Sequence, residues 1–225
     1  TIGIKEGDEV ITSGHTFWAT VEAILHCGAK PVLADIKSDG TIDPNSIEEL
    51  VTATTKAIIP VHIAGNVCDM ESIMKLAKVY DLKVIEDSAQ AIGTKLTGET
   101  ACFSFYPAKI LGCYGDGGAV VTNDEKIYEL IRKLRVHGGH PKPEMVGYTS
   151  CLDNLQAAVL NVKFKYLDDT IKRRKWIAGK YNKVLNQLSR DIYQDYIVFY
   201  PAEKKEFKAF LESEGIECMD DIYPF

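Results

Sequence analysis

The chain has 225 residues, a formal net charge of −6, 46% hydrophobic residues and 26% charged ones, the make-up of a folded globular protein long enough for one large core or one domain with a smaller appendage. The negative balance, with no recognition motif, argues against nucleic acid or anionic membrane as a general partner, and no apolar run approaches the ~20 residues of a membrane-spanning helix. The six cysteines (Cys27, Cys68, Cys102, Cys113, Cys151, Cys218) are scattered, with no Cys-x-x-Cys pair and no metal-like grouping with histidine; this argues against a disulfide framework or a zinc site and, with no signal-peptide pattern, for the cytoplasm.

Gly7-Asp8-Glu9 is a turn feeding a strand at Val10-Ile11-Thr12, and residues 17–26 carry apolar positions at helical spacing before the terminating Gly28. Residues 30–35 read as a strand, and Asp43-Pro44-Asn45 open a helix through Val51. The alternation continues with a strand at 57–62, a helix at 69–80 and a strand at 83–86. Repeated βα units with apolar strands predict an α/β fold, a mostly parallel sheet covered by helices on both faces, with its site at the carboxyl ends of the strands. A further strand over 103–105 leads through a loop to a short strand over 119–121. Thr122 and Glu125 have capping-box spacing before a helix through Arg135. Two long helices follow over 152–165 and 169–188, then a strand over 193–200, a helix over 202–214 and the start of a strand over 215–218. The basic run Lys172-Arg173-Arg174-Lys175 before Trp176 reads as a solvated helix face.

Two strand ends direct chemistry to one rim: Asp87 follows Val84-Ile85-Glu86, and Lys109 follows Phe103-Ser104-Phe105 ahead of the turn Gly115-Asp116-Gly117-Gly118. A carboxylate after a strand is often a cap, and a loop lysine is usually solvated. Together, Asp87, Gln90, Ser104 and Lys109 match the needs of a pyridoxal phosphate enzyme. The lysine forms a Schiff base, the aspartate keeps the pyridine nitrogen protonated, and small hydroxyls bind phosphate. Phe17 or Trp18, just after the first strand, supplies an aromatic face to stack on the ring.

In order, Gly7-Asp8-Glu9-Val10-Ile11, Thr16-Phe17-x-Ala19-Thr20, Pro60-Val61-His62, Asp69-Met70, Val84-Ile85-Glu86-Asp87-x-Ala89-Gln90-Ala91, Phe103-Ser104-Phe105-Tyr106-Pro107-x-Lys109, Gly115-Asp116-Gly117-Gly118 and Leu152-Asp153-x-Leu155-Gln156-Ala157-Ala158 resemble the DegT/DnrJ/EryC1/StrS family of sugar aminotransferases. The resemblance implies the fold-type-I aminotransferase architecture, a homodimer with shared active sites, and transfer of an amino group from L-glutamate to a nucleotide-linked keto-sugar. Lys109 would be the Schiff-base lysine and proton shuttle, Asp87 the partner of the pyridine nitrogen, Gln90 a neighbour of the ring hydroxyl, Ser104 a phosphate ligand and Phe17 the stacking ring. Lysine at this position, where dehydratases of the family carry histidine, favours transamination. The glycine-rich turn at 112–118 resembles members acting at sugar C3 more than those acting at C4. The alternative is a regulatory protein of the same fold that binds pyridoxal phosphate without turnover.

Thr149-Ser150-Cys151 stands where the family has Asn-Ser-Arg, the asparagine reaching the neighbouring subunit's cofactor phosphate. The chain is expected to begin near the family's third element, without the Gly-Thr turn that cradles the phosphate, and to be short at 98–101, at 188–191 and after Phe225. Residues 1–162 are expected to form the large pyridoxal-phosphate-binding domain, and 163–225 connecting helices and an incomplete small C-terminal α+β domain. His62, His137 and His140 read as loop histidines, Asp116 as a turn-fixing residue, Cys113 and Cys151 as small fillers near an interface, and Tyr106 as core in preference to pocket wall.

Overall fold

In a computed structural model, residues 2–185, 190, 192–198 and 204–219 are described. The elements are β1 (Glu9–Ser13), α1 (Trp18–His26), β2 (Lys30–Ala34), α2 (Pro44–Leu50), β3 (Thr55–Ile59), α3 (Met70–Val79), β4 (Lys83–Asp87), β5 (Thr100–Ser104), β6 (Gly118–Thr122), α4 (Glu125–Leu134), α5 (Asn154–Phe164), α6 (Leu167–Leu185) and α7 (Lys204–Ser213). The strands form one sheet in the order β2-β1-β3-β4-β5-β6. The first five run parallel, and β6 returns antiparallel to β5.

Side chains alternate across a strand, so neighbouring residues of β1 feed opposite faces. Ile11 joins Ile58, Ile47, Ile73 and Val84 in a cluster that seats α2 and α3, whereas Val10 joins Ala57 and Ile24 of α1. The sheet is therefore covered on both faces, as the apolar strands predict. A third cluster unites Ile110, Leu111 and Cys113 of the β5–β6 loop with Leu160 of α5, Leu167 of α6 and Ile192. The loop carrying Lys109 is thereby fastened to the helices beyond the sheet.

Helix starts follow side-chain chemistry at their caps. Asp43 accepts from Asn45 N–H ahead of α2 with Pro44 in its first turn, and Asp69 accepts from Ser72 N–H ahead of α3. At α4 the expected cap is displaced. Asp124, not Thr122, accepts from the N–H groups of Lys126 and Ile127, while Thr122 Oγ1 accepts from Asp124 N–H one step upstream. The helix begins at Glu125, which leaves Thr122 too far back to reach its first free amides.

The expected strand over 193–200 is absent from its described part, residues 193–198. Its backbone groups are taken singly: Ile192 and Gln194 N–H donate to Gly65 and Ala64 carbonyls, and Arg174 Nη1 donates to the carbonyls of Tyr193 and Gln194. The strand expected from Gly215 is likewise irregular: Gly215 adopts φ 75° and Ile216 N–H bonds back to Leu211, closing α7. Residues 186–189, 199–203 and 220–225, on which parts of the expected 169–188 helix, 193–200 strand and 202–214 helix fall, lie outside the described residues.

Candidate active site

The parallel strands point their carboxyl ends to one edge of the sheet, and the candidate residues collect there. Asp87 is the last residue of β4. Ser104 ends β5, whose Cys102 is in register with Asp87. Because β6 pairs antiparallel, with Gly118 opposite Ser104, the loop holding Lys109 leaves from this rim and returns to it. Phe17 sits just past β1 as the residue before α1.

Lys109 is half-buried. Burial pushes its amine below the ordinary 10.5, and the Asp195 and Asp87 carboxylates pull in the opposite direction without cancelling that effect. A lysine that sheds its proton more readily is the form that attacks a carbonyl. The turn around it is tight: Lys109 N–H donates to Tyr106 O, and a Cβ on Gly112 would meet Pro107 O at 2.4 Å. Cys113 is fully buried, its thiol turned to the carbonyls of Phe105 and Gly115 at 3.0 Å each.

The Asp87 carboxyl is gripped at both oxygens: Oδ1 accepts from Ala89 N–H at 3.1 Å and Oδ2 from the Thr20 hydroxyl at 2.7 Å. Thr20 in turn lies 2.7 Å from buried Thr16 Oγ1. Since Thr20 gives its only hydrogen to Asp87, Thr16 donates to Thr20. Beside Asp87, burial and the neighbouring carboxylate push the Cys102 thiol up to about 11, so it is no competing nucleophile near neutral pH.

Gln90 is buried, with its Oε1 accepting from Ala64 N–H. Ser104 Oγ accepts from Tyr106 N–H at 3.2 Å, which leaves its O–H as the donor. Phe17 is 55% exposed, a flat apolar face at the rim. An amine, a carboxylate, a hydroxyl donor and a ring face together fit a planar heteroaromatic aldehyde bearing a phosphate, pyridoxal phosphate. Among the described residues no group of three or more His, Cys, Asp or Glu side chains is placed to hold a metal, and no helix is long and apolar enough to cross a membrane.

The remaining sequence candidates separate. Tyr106 is 54% exposed and is not core. His62 is fully buried: its Nδ1 accepts from Cys68 N–H, so Nε2 carries the proton and donates to Glu86 Oε2 at 2.8 Å. Glu86 Oε1 takes the N–H groups of Thr97 and Gly98. His137 and His140 are exposed, and Thr149 Oγ1 lies 3.3 Å from His137 Nε2. Sequence reasoning missed Thr20 as the partner of Asp87, although its spacing of four from Thr16 at a helix start was a local signal. It also missed Gln194 and Asp195, for which no local signal exists.

The profile of the DegT/DnrJ/EryC1/StrS aminotransferase family matches residues 1–220. The chain is 43% identical over 240 residues to the pleiotropic regulatory protein of Geobacillus stearothermophilus, covering 96% of this chain and 64% of that protein. It is 50% identical over 186 residues to dTDP-3-amino-3,6-dideoxy-alpha-D-galactopyranose transaminase of Aneurinibacillus thermoaerophilus, covering 78% and 51%. The solved structure of S. venezuelae DesV in complex with a ketimine intermediate superposes with a TM-score of 0.90 at 37% identity, over 96% of this chain and 63% of that one. The chain thus spans between 51% and 64% of the length of these relatives. The architecture is that of the fold-type-I aminotransferases, and aminotransferases of this family use pyridoxal phosphate. Family profile, fold and rim geometry agree: the chain belongs to the DegT/DnrJ/EryC1/StrS aminotransferase family.

Proposed function

We propose that the protein transfers an amino group from L-glutamate to a nucleotide-linked keto-sugar, with a C3 carbonyl preferred over C4, for amino-sugar or surface-polysaccharide synthesis in the cytoplasm. The observation that carries this reading is the half-buried Lys109, its amine held below the ordinary 10.5 and within electrostatic reach of Asp87. Pyridoxal phosphate, when bound, supplies the electron sink that lets the bonds at the amino carbon be remade.

The chain's own residues do the rest. Lys109 Nζ would hold the cofactor and, once displaced by the incoming amine, would take or give the proton at the reacting amino carbon in each half-reaction. Asp87, fixed by Thr20 and Ala89, faces the ring nitrogen. Ser104 Oγ–H donates to the phosphate, Phe17 covers one ring face, and Gln90 lies by the ring hydroxyl. The C3 preference draws support from relatives named as 3-amino-sugar transaminases, such as that of Aneurinibacillus thermoaerophilus. Exposed Phe17, Trp18, Tyr106 and Tyr114 support a homodimer with shared active sites, since large exposed apolar side chains mark interfaces. We assign residues 1–162 to the cofactor-binding domain and 163–225 to connecting helices and part of a small domain.

Borohydride reduction of the cofactor-loaded protein followed by peptide mapping tests the assignment. Label on Lys109, lost in Lys109→Ala, is expected; label on another lysine would overturn it. Glutamate-loaded protein is then offered nucleotide-linked 3-keto and 4-keto sugars, and amination of the 3-keto compound is expected.

A second reading, a cofactor-binding regulatory protein without turnover, is favoured by the relative named as a pleiotropic regulator and by Thr149 and Cys151 in place of asparagine and arginine. A visible spectrum unchanged by glutamate would select it.

A further inference from the structure

Gln194 lies far along the chain from the lysine loop, yet its side chain grips that loop on both sides of Lys109. Its Nε2 donates to Ala108 O at 3.0 Å across 86 positions of sequence. Its Oε1 accepts from Ile110 N–H at 3.0 Å across 84. Those two groups belong to the peptide units immediately before and after Lys109. A primary amide is the side chain that offers a donor and an acceptor side by side, as a paired strand does.

The brace is itself anchored. Gln194 is 7% exposed, its N–H donates to Ala64 O at 3.1 Å, and its carbonyl accepts from Arg174 Nη1 at 2.8 Å. Ala64 is held at φ 52°, ψ 17°, a conformation that non-glycine residues adopt at a cost and that persists only where surroundings enforce it. Its N–H is fixed by Gln90 Oε1 and its C=O by Gln194. Next to it, a Cβ on Gly65 would stand 2.5 Å from Ile192 O, so only glycine permits so close an approach. Ile192 and Ile110 share one apolar cluster, which keeps water from these hydrogen bonds.

We infer that Gln194 is a positioning residue for Lys109: it fixes both peptide units that carry the lysine, and through Ala64 it ties the lysine's placement to Gln90. The inference rests on the reading of Lys109 as the cofactor lysine. An amine on a four-carbon stem is placed only as well as its Cα, and reacting atoms must meet within a narrow range of distance and angle. Gln194 restricts that Cα without touching cofactor or substrate.

Gln194→Met removes both polar ends at similar volume; Gln194→Glu keeps the acceptor for Ile110 N–H and loses the donor to Ala108. Wild type and both variants are loaded with pyridoxal phosphate. Four readouts are compared: the borohydride-labelled peptide, the pH midpoint of the visible band, kcat against KM for glutamate, and amide exchange over residues 105–113. Gln194→Met is expected to lower kcat by about tenfold or more with KM nearly unchanged, to move the pH midpoint, and to speed exchange in the loop but not in α3. Gln194→Glu is expected to fall between Met and wild type, and it carries the comparison if the Met variant does not fold. Wild type labelled at Lys109, with the folded variants matching it in kcat and pH midpoint, overturns the inference alone. Wild type labelled elsewhere overturns the site reading, and the inference with it.

Discussion

Thr20 donates its hydroxyl hydrogen to Asp87 Oδ2 at 2.7 Å, joining the first turn of α1 to the end of β4 across 67 positions of sequence. Thr16 backs Thr20 from the same helix start. The carboxyl proposed to face the ring nitrogen is thus oriented by the chain's own donors. A hydrogen bond to a charged group contributes about 1.5–3 kcal/mol. Thr20→Val, which keeps the branched shape, is expected to weaken pyridoxal phosphate binding by roughly tenfold, read by absorbance titration, and to lower the melting temperature by several degrees. Unchanged affinity would remove Thr20 from the cofactor site.

Two of the shifted lysines give a contrast within one molecule. Burial lowers Lys109 from 10.5; the Glu71 hydrogen bond and charge raise exposed Lys75 from the same value. Competitive acetylation of cofactor-free protein, followed by mass spectrometry across a pH series, should show Lys109 reaching half-reaction below pH 10.5 and Lys75 above it. The reverse order would contradict the half-buried placement of Lys109.

Gly112 passes so close to the preceding turn that a Cβ would lie 2.4 Å from Pro107 O and 2.7 Å from Tyr106 O. Both are backbone atoms, so the loop itself must move. Gly112→Ala is expected to cost about 1–3 kcal/mol by overpacking, measured by urea unfolding, and to reduce the fraction of protein labelled at Lys109. Wild-type labelling in the folded variant would show that the turn does not set the lysine's position.

Glu86 carries a pH dependence. Burial raises its carboxyl, but the hydrogen bonds from His62, Gly98 and Thr97 outweigh burial and hold it below the ordinary 4.5. A carboxyl lowered on folding stabilises the chain fully above its unfolded value, and that contribution fades as pH falls through the folded value. Glu86→Gln should therefore flatten the loss of stability below about pH 4.5, and an acid limb identical to wild type would count against it. His62→Ala, which strips a partner from a buried carboxylate, is expected to destabilise by about 3 kcal/mol at neutral pH.

What the sequence reveals and what it hides divide along chain distance. The alternation of β1 through β4 with their helices is carried by local periodicity, and Asp87 and Lys109 are visible because they follow strand ends. Residues 193–198 resemble a strand in composition, but Arg174 and the turn at Ala64 claim the backbone of Tyr193 and Gln194. The Gln194 brace spans 84 and 86 positions and leaves no trace in any short window. The buried role of His62 depends on Glu86, 24 residues away, a partner that no short window contains.

The antiparallel return of β6 separates what must stay constant from what is free to vary. Asp87 and Cys102 are locked in register, and Ser104 is locked to Gly118, so the spacing between carboxylate and lysine loop is written in main-chain ladders. Side chains that face outward from that loop, Tyr106 and Tyr114 among them, bear none of that load. Exchanging those side chains is therefore expected to leave the register between the end of β4 and the strands flanking the lysine loop unchanged.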